Sequence, residues 1–388
     1  MYRRFLDRPQ SSIFLFGPRG TGKSTWLRER FPDATFYDLL DTSEALRLAA
    51  DPGALGRETA MLPAESWVVI DEVQKVPALL DEVHRLIENR SLHFVLSGSS
   101  ARKLRRGSVN LLAGRAKVRE MFPLVSQELG DDFDLERSLR YGTLPMAVAP
   151  ARSGDTVAAE DYLRSYAATY LVQEVQAEAL TRNIGAFARF LEVAARHNAL
   201  PINATNIGRD VGVNRHTVEN HFGVLVDTLL GTWLPAWKPK ASTRQVQQSR
   251  FHFFDCGVAR ALSGRLPYPP LPEELGFQAE TFLLTELRAF LAHSGLGYKP
   301  HFWRDYSGAE VDFVCETARG FVGIEVKVSR RWDKKFNRGL HKLCGLVGAD
   351  RMTCYGVYLG ERPALWDDIH ILPFGEFLKA LWAGDIIA

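Results

Sequence analysis

The sequence predicts a multidomain α/β protein: a phosphate-loop parallel sheet first, a helical and winged-helix middle, and a second α/β domain at the end. Three observations carry this. Residues 13–25 read Ile-Phe-Leu-Phe-Gly-Pro-Arg-Gly-Thr-Gly-Lys-Ser-Thr, an apolar run leading into G-x-x-x-x-G-K-[ST] and then helix-compatible sequence. Short continuous apolar runs alternate with helical patterns up to about residue 150, the order of a parallel sheet covered by helices. Beyond a Ser-Gly-Asp linker the apolar residues recur at helical spacing, and past a proline-rich stretch at 267–272 two strand patterns return.

The phosphate loop comes first. Gly17, Gly20 and Gly22 lack a Cβ, so the loop can turn its N–H groups inward around phosphate oxygens. Lys23 then reaches the β- and γ-phosphates of ATP, Ser24 puts its hydroxyl on Mg²⁺, and the following helix N-terminus adds partial positive charge. The expected nucleotide-binding set is Gly17, Pro18, Arg19, Gly20, Thr21, Gly22, Lys23, Ser24 and Thr25, with Asp71 and Ser97 from neighbouring strands.

The apolar runs at 13–16, 34–37, 67–70, 93–96 and 117–121 are too continuous to be half exposed and read as buried parallel strands. The third ends in Asp71-Glu72, at the edge of the sheet where open α/β folds bind ligands. Asp71 would hold Mg²⁺ through water, and Glu72 would polarise the attacking water, which separates a hydrolase from a kinase acting on a bound acceptor. Alone, this is also the pattern of a strand followed by a solvated acidic turn; the phosphate loop decides between them. The fourth strand ends in Ser97-Gly-Ser99-Ser100, where Ser97 can sense the γ-phosphate, although small hydroxyls also form turns. Downstream, Arg102, Lys103, Arg105, Arg106 and Arg115 suit a solvated face, a DNA contact, or an arginine finger reaching a neighbouring subunit of a homo-oligomer.

The first unit is expected over residues 1–150, a helical lid over 151–200 with helices at 160–179 and 184–197, and a winged helix-turn-helix over 201–266. There, a short helix, a turn at Gly212 and a second helix have helix-turn-helix spacing. Runs at 232–237 and 250–254 flank a basic segment with Lys238, Lys240 and Arg244, like the hairpin of a wing. Arg209, Asn214, Arg215, His216 and Asn220 can reach phosphates or base edges, unless the unit packs against protein instead.

The last unit, 273–388, opens with a helix at 277–293, followed by strands at 308–315 and 321–328 and a helix at 330–348. A period of two places Glu325 and Lys327 on one face and Ile324, Val326 and Val328 on the other. Asp312 joins the polar face across the strand pair. Asp312 and Glu325 would bind Mg²⁺ and orient a water for phosphodiester cleavage with Lys327, and Glu280 would add a fourth polar group. An amphipathic hairpin with a solvated charged face is the bland alternative.

Composition narrows the partners. Lys+Arg 48 against Asp+Glu 46 gives a net charge of +2, so any DNA contact must come from local patches. Cys256, Cys315, Cys344 and Cys354 lack C-x-x-C spacing, which suggests neither a zinc site nor a disulfide framework and fits a reducing cytoplasm. The N-terminal apolar run is only about four residues and enters the phosphate loop, unlike a signal peptide. No stretch is long enough to span a bilayer, so no membrane partner is expected.

Over nearly its whole length the chain resembles the prokaryotic AAA-type (AAA+) ATPases that join an N-terminal P-loop module to a C-terminal domain of unknown function. The resemblance rests on Tyr2-Arg-Arg, Gly17-Pro-Arg with Gly22-Lys23-Ser24, Val69-Ile-Asp71-Glu72-Val-Gln, Leu96-Ser-Gly-Ser-Ser, Asn110-Leu-Leu-Ala-Gly114-Arg115, Phe122-Pro-Leu and Tyr141-Gly-Thr-Leu-Pro. Further on, Phe253-Phe-Asp255-Cys-Gly257, Glu280, Glu310-Val-Asp312-Phe and Glu325-Val-Lys327 continue it. Such families usually carry Gln-Val where this chain has Gly20-Thr21, a change toward the general phosphate-loop pattern. The last domain of these families is similar to the restriction-endonuclease-like, PD-(D/E)xK fold. By resemblance Glu280, Asp312, Glu325 and Lys327 take the nuclease positions, and Lys23, Ser24, Asp71, Glu72 and Ser97 the ATPase ones.

The leading expectation is an ATP-hydrolysing protein acting on DNA, with a Mg²⁺-dependent nuclease-like end. The alternative is a non-cutting ATP-dependent switch in regulation or defence whose last domain only binds. A small-molecule kinase is disfavoured by the Asp71-Glu72 pair and the helix-turn-helix.

Overall fold

The computed structural model describes residues 2–100, 114–170, 183–238 and 248–388. The first unit is a five-stranded, all-parallel sheet in the order β2-β3-β4-β1-β5. Its strands are β1 (Ile13–Phe16), β2 (Thr35–Asp38), β3 (Trp67–Asp71), β4 (His93–Gly98) and β5 (Lys117–Glu120). Helices α1 (Lys23–Arg30), α2 (Thr42–Ala50), α3 (Ala54–Glu58) and α4 (Leu79–Arg90) connect them. Alternate residues of the central strands face two different apolar layers. Phe14, Ile70 and Leu96 pack with α3 and α4, while Ile13, Leu15, Val69 and Val95 pack with Trp26 and Leu27 of α1. Burial on both faces explains why these strands read as continuous apolar runs. β5 is the exception: Lys117 and Val118 are exposed, because it lies at the edge of the sheet.

Short helix α5 (Ser126–Leu129) leads into α6 (Leu135–Tyr141), α7 (Pro145–Ser153) and α8 (Thr156–Ser165). The rest of the helix expected at 160–179 continues as a wider turn over Tyr166–Tyr170 and then lies outside the described residues. Arg102, Lys103, Arg105, Arg106, Lys240 and Arg244 lie outside them too. Next come α9 (Ile184–Arg196), α10 (Ala204–Val211) and α11 (Arg215–Asp227), the last two joined through Gly212 in the left-handed conformation. Asn203 and Asn214 cap α10 and α11 with their side-chain oxygens, which fixes the start of each. Strands β6 (Gly231–Leu234) and β7 (Arg250–Phe253) pair antiparallel and share an aromatic core with these helices, including Phe187, Phe190, Phe222 and Phe251.

Helix α12 (Cys256–Leu262) and the long α13 (Pro272–Ser294) lead to a mixed six-stranded sheet in the order β12-β13-β11-β10-β9-β8. Its members are β8 (Pro300–Arg304), β9 (Glu310–Thr317), β10 (Gly320–Lys327), β11 (Met352–Tyr358), β12 (Ala364–Trp366) and β13 (Ile369–Pro373), with α14 (Arg338–Val347) and α15 (Phe374–Ala383). The units are pinned together by polar contacts. The Glu286 carboxylate on α13 accepts from Ser126 N (2.6 Å), Ser126 Oγ (2.9 Å) and Trp382 Nε1 (2.6 Å). Beyond β6 the chain crosses to the last sheet, where Phe302 exchanges main-chain hydrogen bonds with Pro235 (3.0 Å) and Trp237 (2.7 Å). Among the described residues no helix is long and apolar enough to cross a membrane.

Candidate nucleotide site and acidic face

Two of the loop glycines are there for their dihedrals: Gly20 has φ +81° and Gly22 φ +91°, conformations that side-chain-bearing residues rarely adopt. Gly17 has a different reason, since a Cβ there would run into the main-chain oxygen of Met121 on the neighbouring strand end. Lys23 is buried and donates to the carbonyls of Gly17 (2.7 Å) and Pro18 (3.1 Å), so its ammonium lies across the loop's own main chain. Thr21 Oγ1 closes the turn on Pro18 O at 2.8 Å, and the Tyr166 hydroxyl donates to Arg19 O at 2.8 Å, tying the helical region to the loop. Ser24 and Thr25 occupy the first turn of α1, Ser24 half-buried and Thr25 exposed.

β3 and β4 run side by side, which brings Asp71 and Ser97 together: Ser97 Oγ donates to Asp71 Oδ1. Asp71 Oδ2 is buried and accepts no hydrogen bond. An orphaned carboxylate oxygen at a strand end suits a Mg²⁺ ion that takes most of its ligands from water and phosphate, with Ser24 as the second protein oxygen. Glu72 stands at φ +61°, and its carboxylate accepts from Gln74 Nε2, which also reaches Ser99 Oγ at 3.2 Å. Gln74 was not singled out by sequence, although it lies two residues past the acidic pair. Beside the loop is a cavity of about 690 Å³ lined by Tyr2, Gly22, Thr25, Pro145 and Met146, with room for a nucleobase and ribose. Arg115 pairs with Glu88 of the same chain.

The second constellation lies on the last sheet. Ile324 pairs with Phe313, and two residues past Ile324 the Val326 N–H donates to Asp312 Oδ2 at 2.8 Å. Asp312, Glu325 and Lys327 thereby meet: Lys327 Nζ is 2.6 Å from Glu325 Oε1 and 3.5 Å from Asp312 Oδ2. Glu280 arrives from α13. Two further residues complete the cluster, Glu310 on β9 and Arg250 at the start of β7. Arg250 Nη1 is 3.0 Å from Glu280 and 3.8 Å from Asp312, Nη2 pairs with Glu310, and the guanidinium stacks over Phe302 with its Cζ 4.7 Å from the ring centroid. Glu310 was legible in principle, because it shares the strand face of Asp312. Arg250 was not, since nothing in Arg250-Phe-His-Phe points at a distant strand.

Burial, joined by repulsion from Asp312, pushes the Glu280 carboxyl up to about 8 and that of Glu325 well above the carboxylate range. Burial acts to lower Lys327, but Asp312 and Glu325 outweigh it and hold the ammonium charged. Four carboxyl groups thus lie among three cations, Arg250, Lys327 and Arg304, whose Nε is 3.5 Å from Glu310 Oε2. Glu325 Oε2 is buried without a partner. Even so, among the described residues no three His, Cys, Asp or Glu side chains converge as a metal-ligand set. The guanidinium lies among Glu280, Glu310 and Asp312, and in this arrangement the face does not fit a metal ion.

The parallel sheet, phosphate loop and acidic strand end define a P-loop nucleotide-binding domain. Residues 9–130 match the family model described as an AAA domain, which makes the first unit AAA-type. Residues 132–268 match a domain of unknown function (DUF8612) and residues 275–377 another (DUF4143). No curated protein matches the chain significantly. Among solved structures the chain is similar to the ORC1 protein of Aeropyrum pernix in complex with DNA, at 14% identity, 66% coverage of this chain and 87% of that one, and TM-score 0.28. It is also similar to the Aeropyrum pernix ORC2 protein in its ADP form (12% identity, 71% and 88% coverage, TM-score 0.32). A third is the Bacillus subtilis DNA clamp loader delta protein (12%, 55% and 82%, TM-score 0.25). At these scores the likenesses carry no argument.

Proposed function

We propose that the chain is an ATP-hydrolysing AAA-type protein that acts on DNA, its nucleotide state being passed to the helix-turn-helix and the last domain. The observation that carries this is a hydrogen bond: Ser100, just past the strand that bears Ser97, donates to the main-chain oxygen of Asp227 at the end of α11 at 3.1 Å. The strand end that would sense a γ-phosphate therefore touches the second helix of the helix-turn-helix directly. In this reading Lys23 and the loop bind phosphates, Ser24 and Asp71 hold Mg²⁺, which supplies charge neutralisation when bound, and Glu72 orients the attacking water. The helix-turn-helix and β6-β7 form a winged unit that meets DNA through the exposed N-terminal half of α11, where Arg215, His216 and Asn220 stand. The test is ATPase turnover with and without duplex DNA, beside Lys23→Ala and Arg215→Ala. DNA-stimulated turnover that the Arg215 variant loses is expected; turnover indifferent to any DNA would overturn the DNA part.

A second reading adds phosphodiester cleavage by the last domain, taken as restriction-endonuclease-like, with Glu280, Asp312, Glu325 and Lys327 as its site. It is favoured by the buried, partnerless Glu325 Oε2 beside a charged Lys327. Labelled single-stranded, duplex and branched DNA incubated with Mg²⁺ or Mn²⁺ decides it, with Asp312→Ala as the control that must abolish cutting.

A further inference from the structure

We propose that Gln74 is a positioning residue for hydrolysis: its side-chain amide holds the Glu72 carboxylate and ties it to the end of β4. The inference rests on reading Glu72 as the group that orients the attacking water. Gln74 is buried, and its Nε2 donates both to Glu72 and to Ser99 Oγ, the latter at 3.2 Å. A primary amide has two N–H groups, so each is used. The amide oxygen is not served: Oε1 is buried and, among the described residues, accepts no hydrogen bond. A position that needed only volume would be filled better by an apolar side chain, because an unpaired buried acceptor is costly. The amide is therefore kept for its two donors, and these engage Glu72 and the strand end beside it.

The main chain on both sides fixes where the amide stands. Glu72 has φ +61°, a left-handed conformation that a glutamate keeps only where its surroundings impose it. The single 3₁₀ turn that follows, Val73–Lys75, is closed by Lys75 N donating to Glu72 O at 3.0 Å. Val73 anchors it from below, fully buried in the core of the parallel sheet. On the other side a Cβ on Gly98 would run into Gln74 Oε1, so β4 approaches the amide this closely only because residue 98 is glycine. Carboxylate, amide and hydroxyl thus form one short chain from the end of β3 to the end of β4. The next residue, Ser100, donates to Asp227 O of α11, so the brace on Glu72 stands on the strand end that meets the helix-turn-helix. Glu72 itself is only half-buried; packing alone does not fix its rotamer, and the amide supplies the restraint that aiming a water requires.

The experiment measures single-turnover ATP hydrolysis and fluorescent-nucleotide affinity of the full-length protein, comparing wild type, Gln74→Met, Glu72→Gln and the double variant. Methionine keeps the length of the side chain and removes both donors. Gln74→Met is expected to bind nucleotide as wild type does and to hydrolyse it about 10- to 100-fold more slowly, the loss typical when the supporting partner of a reacting group is removed. The double variant should be no slower than Glu72→Gln alone, because Gln74 acts through that carboxylate. Ser99→Ala, which removes the second anchor of the amide, should slow hydrolysis by a smaller factor, and it carries the test if Gln74→Met does not fold. Hydrolysis at the wild-type rate in Gln74→Met or, in its place, Ser99→Ala would overturn the positioning role, as would losses that multiply in full in the double variant. Weaker nucleotide binding with unchanged turnover at saturation would overturn it too, leaving Gln74 a structural residue. A Glu72→Gln variant as fast as wild type would overturn a different step, the role of Glu72 in hydrolysis, and the inference with it.

Discussion

His252 lies two residues from Arg250 on β7 and offers a pH test of how tightly this strand is buried. The ring is 1% exposed; Nδ1 meets Thr281 and Nε2 has no partner. Burial, reinforced by the Arg250 guanidinium, lowers its pKa from 6.5 to about 3. The sign follows from proton counting. Above the unfolded value both states hold a neutral ring and stability is unaffected. As pH falls below 6.5 the unfolded chain binds a proton that the folded one refuses until about pH 3, so stability is lost on acidification. From pH ~7.5 to pH ~5 the interval below the unfolded pKa is about 1.5 units, or about 2 kcal/mol at roughly 1.36 kcal/mol per unit. Urea unfolding at the two pH values, wild type beside His252→Asn, measures it. The variant is destabilised at both, but its acid-induced loss should be smaller than that of wild type by about 2 kcal/mol. His221, whose pKa burial also lowers, leaves a residual slope in both proteins. Parallel slopes would mean that the ring titrates normally and that the β7–α13 interface opens readily.

Other substitutions probe the remaining links. Lys23→Ala should weaken ATP binding by about 10- to 100-fold, the worth of a hydrogen bond to a charged group, read by fluorescent-nucleotide titration. Glu72→Gln should retain that binding and slow hydrolysis by ~10²- to 10⁴-fold in single turnover, the span expected when a positioned base is removed. Asp255→Asn keeps the shape but replaces one acceptor oxygen with a donor facing either Thr143 N–H or Val258 N–H. It should cost about 2–4 kcal/mol in urea unfolding. If DNA lies along α11, Arg215→Ala should reduce the slope of log affinity against log salt by about 1, measured by anisotropy at several salt concentrations.

What the sequence made legible follows from how local each signal is. β1, β3 and β4 could be read because burial on both faces leaves no polar residue to interrupt Ile13–Phe16 or Trp67–Asp71. β5 is the counter-case: Lys117-Val-Arg-Glu120 holds a single apolar residue, as suits the half-exposed edge strand it proves to be. The meeting of Asp312, Glu325 and Lys327 needed only the two-residue period and a hairpin. Glu280 could be named from its helix, but its 3.0 Å approach to Arg250 depends on packing between units, which no local pattern encodes. The close approach at Gly17 is of the same kind: the obstruction is Met121, more than a hundred residues away.

The two candidate sites are joined by short stretches of main chain rather than by a long relay of side chains. Asp255 caps α12 and at the same time holds Thr143, and its carboxylate fills the space where a Cβ on Gly142 would stand. Displacing Thr143 from Asp255 breaks a buried hydrogen bond, worth about 1–3 kcal/mol. Moving β7 instead breaks the contacts of Arg250 with Glu280, Glu310 and Asp312, a steeper loss. Strand β7 is thus held from both sides, through Asp255 on Thr143 and through Arg250 on the acidic cluster.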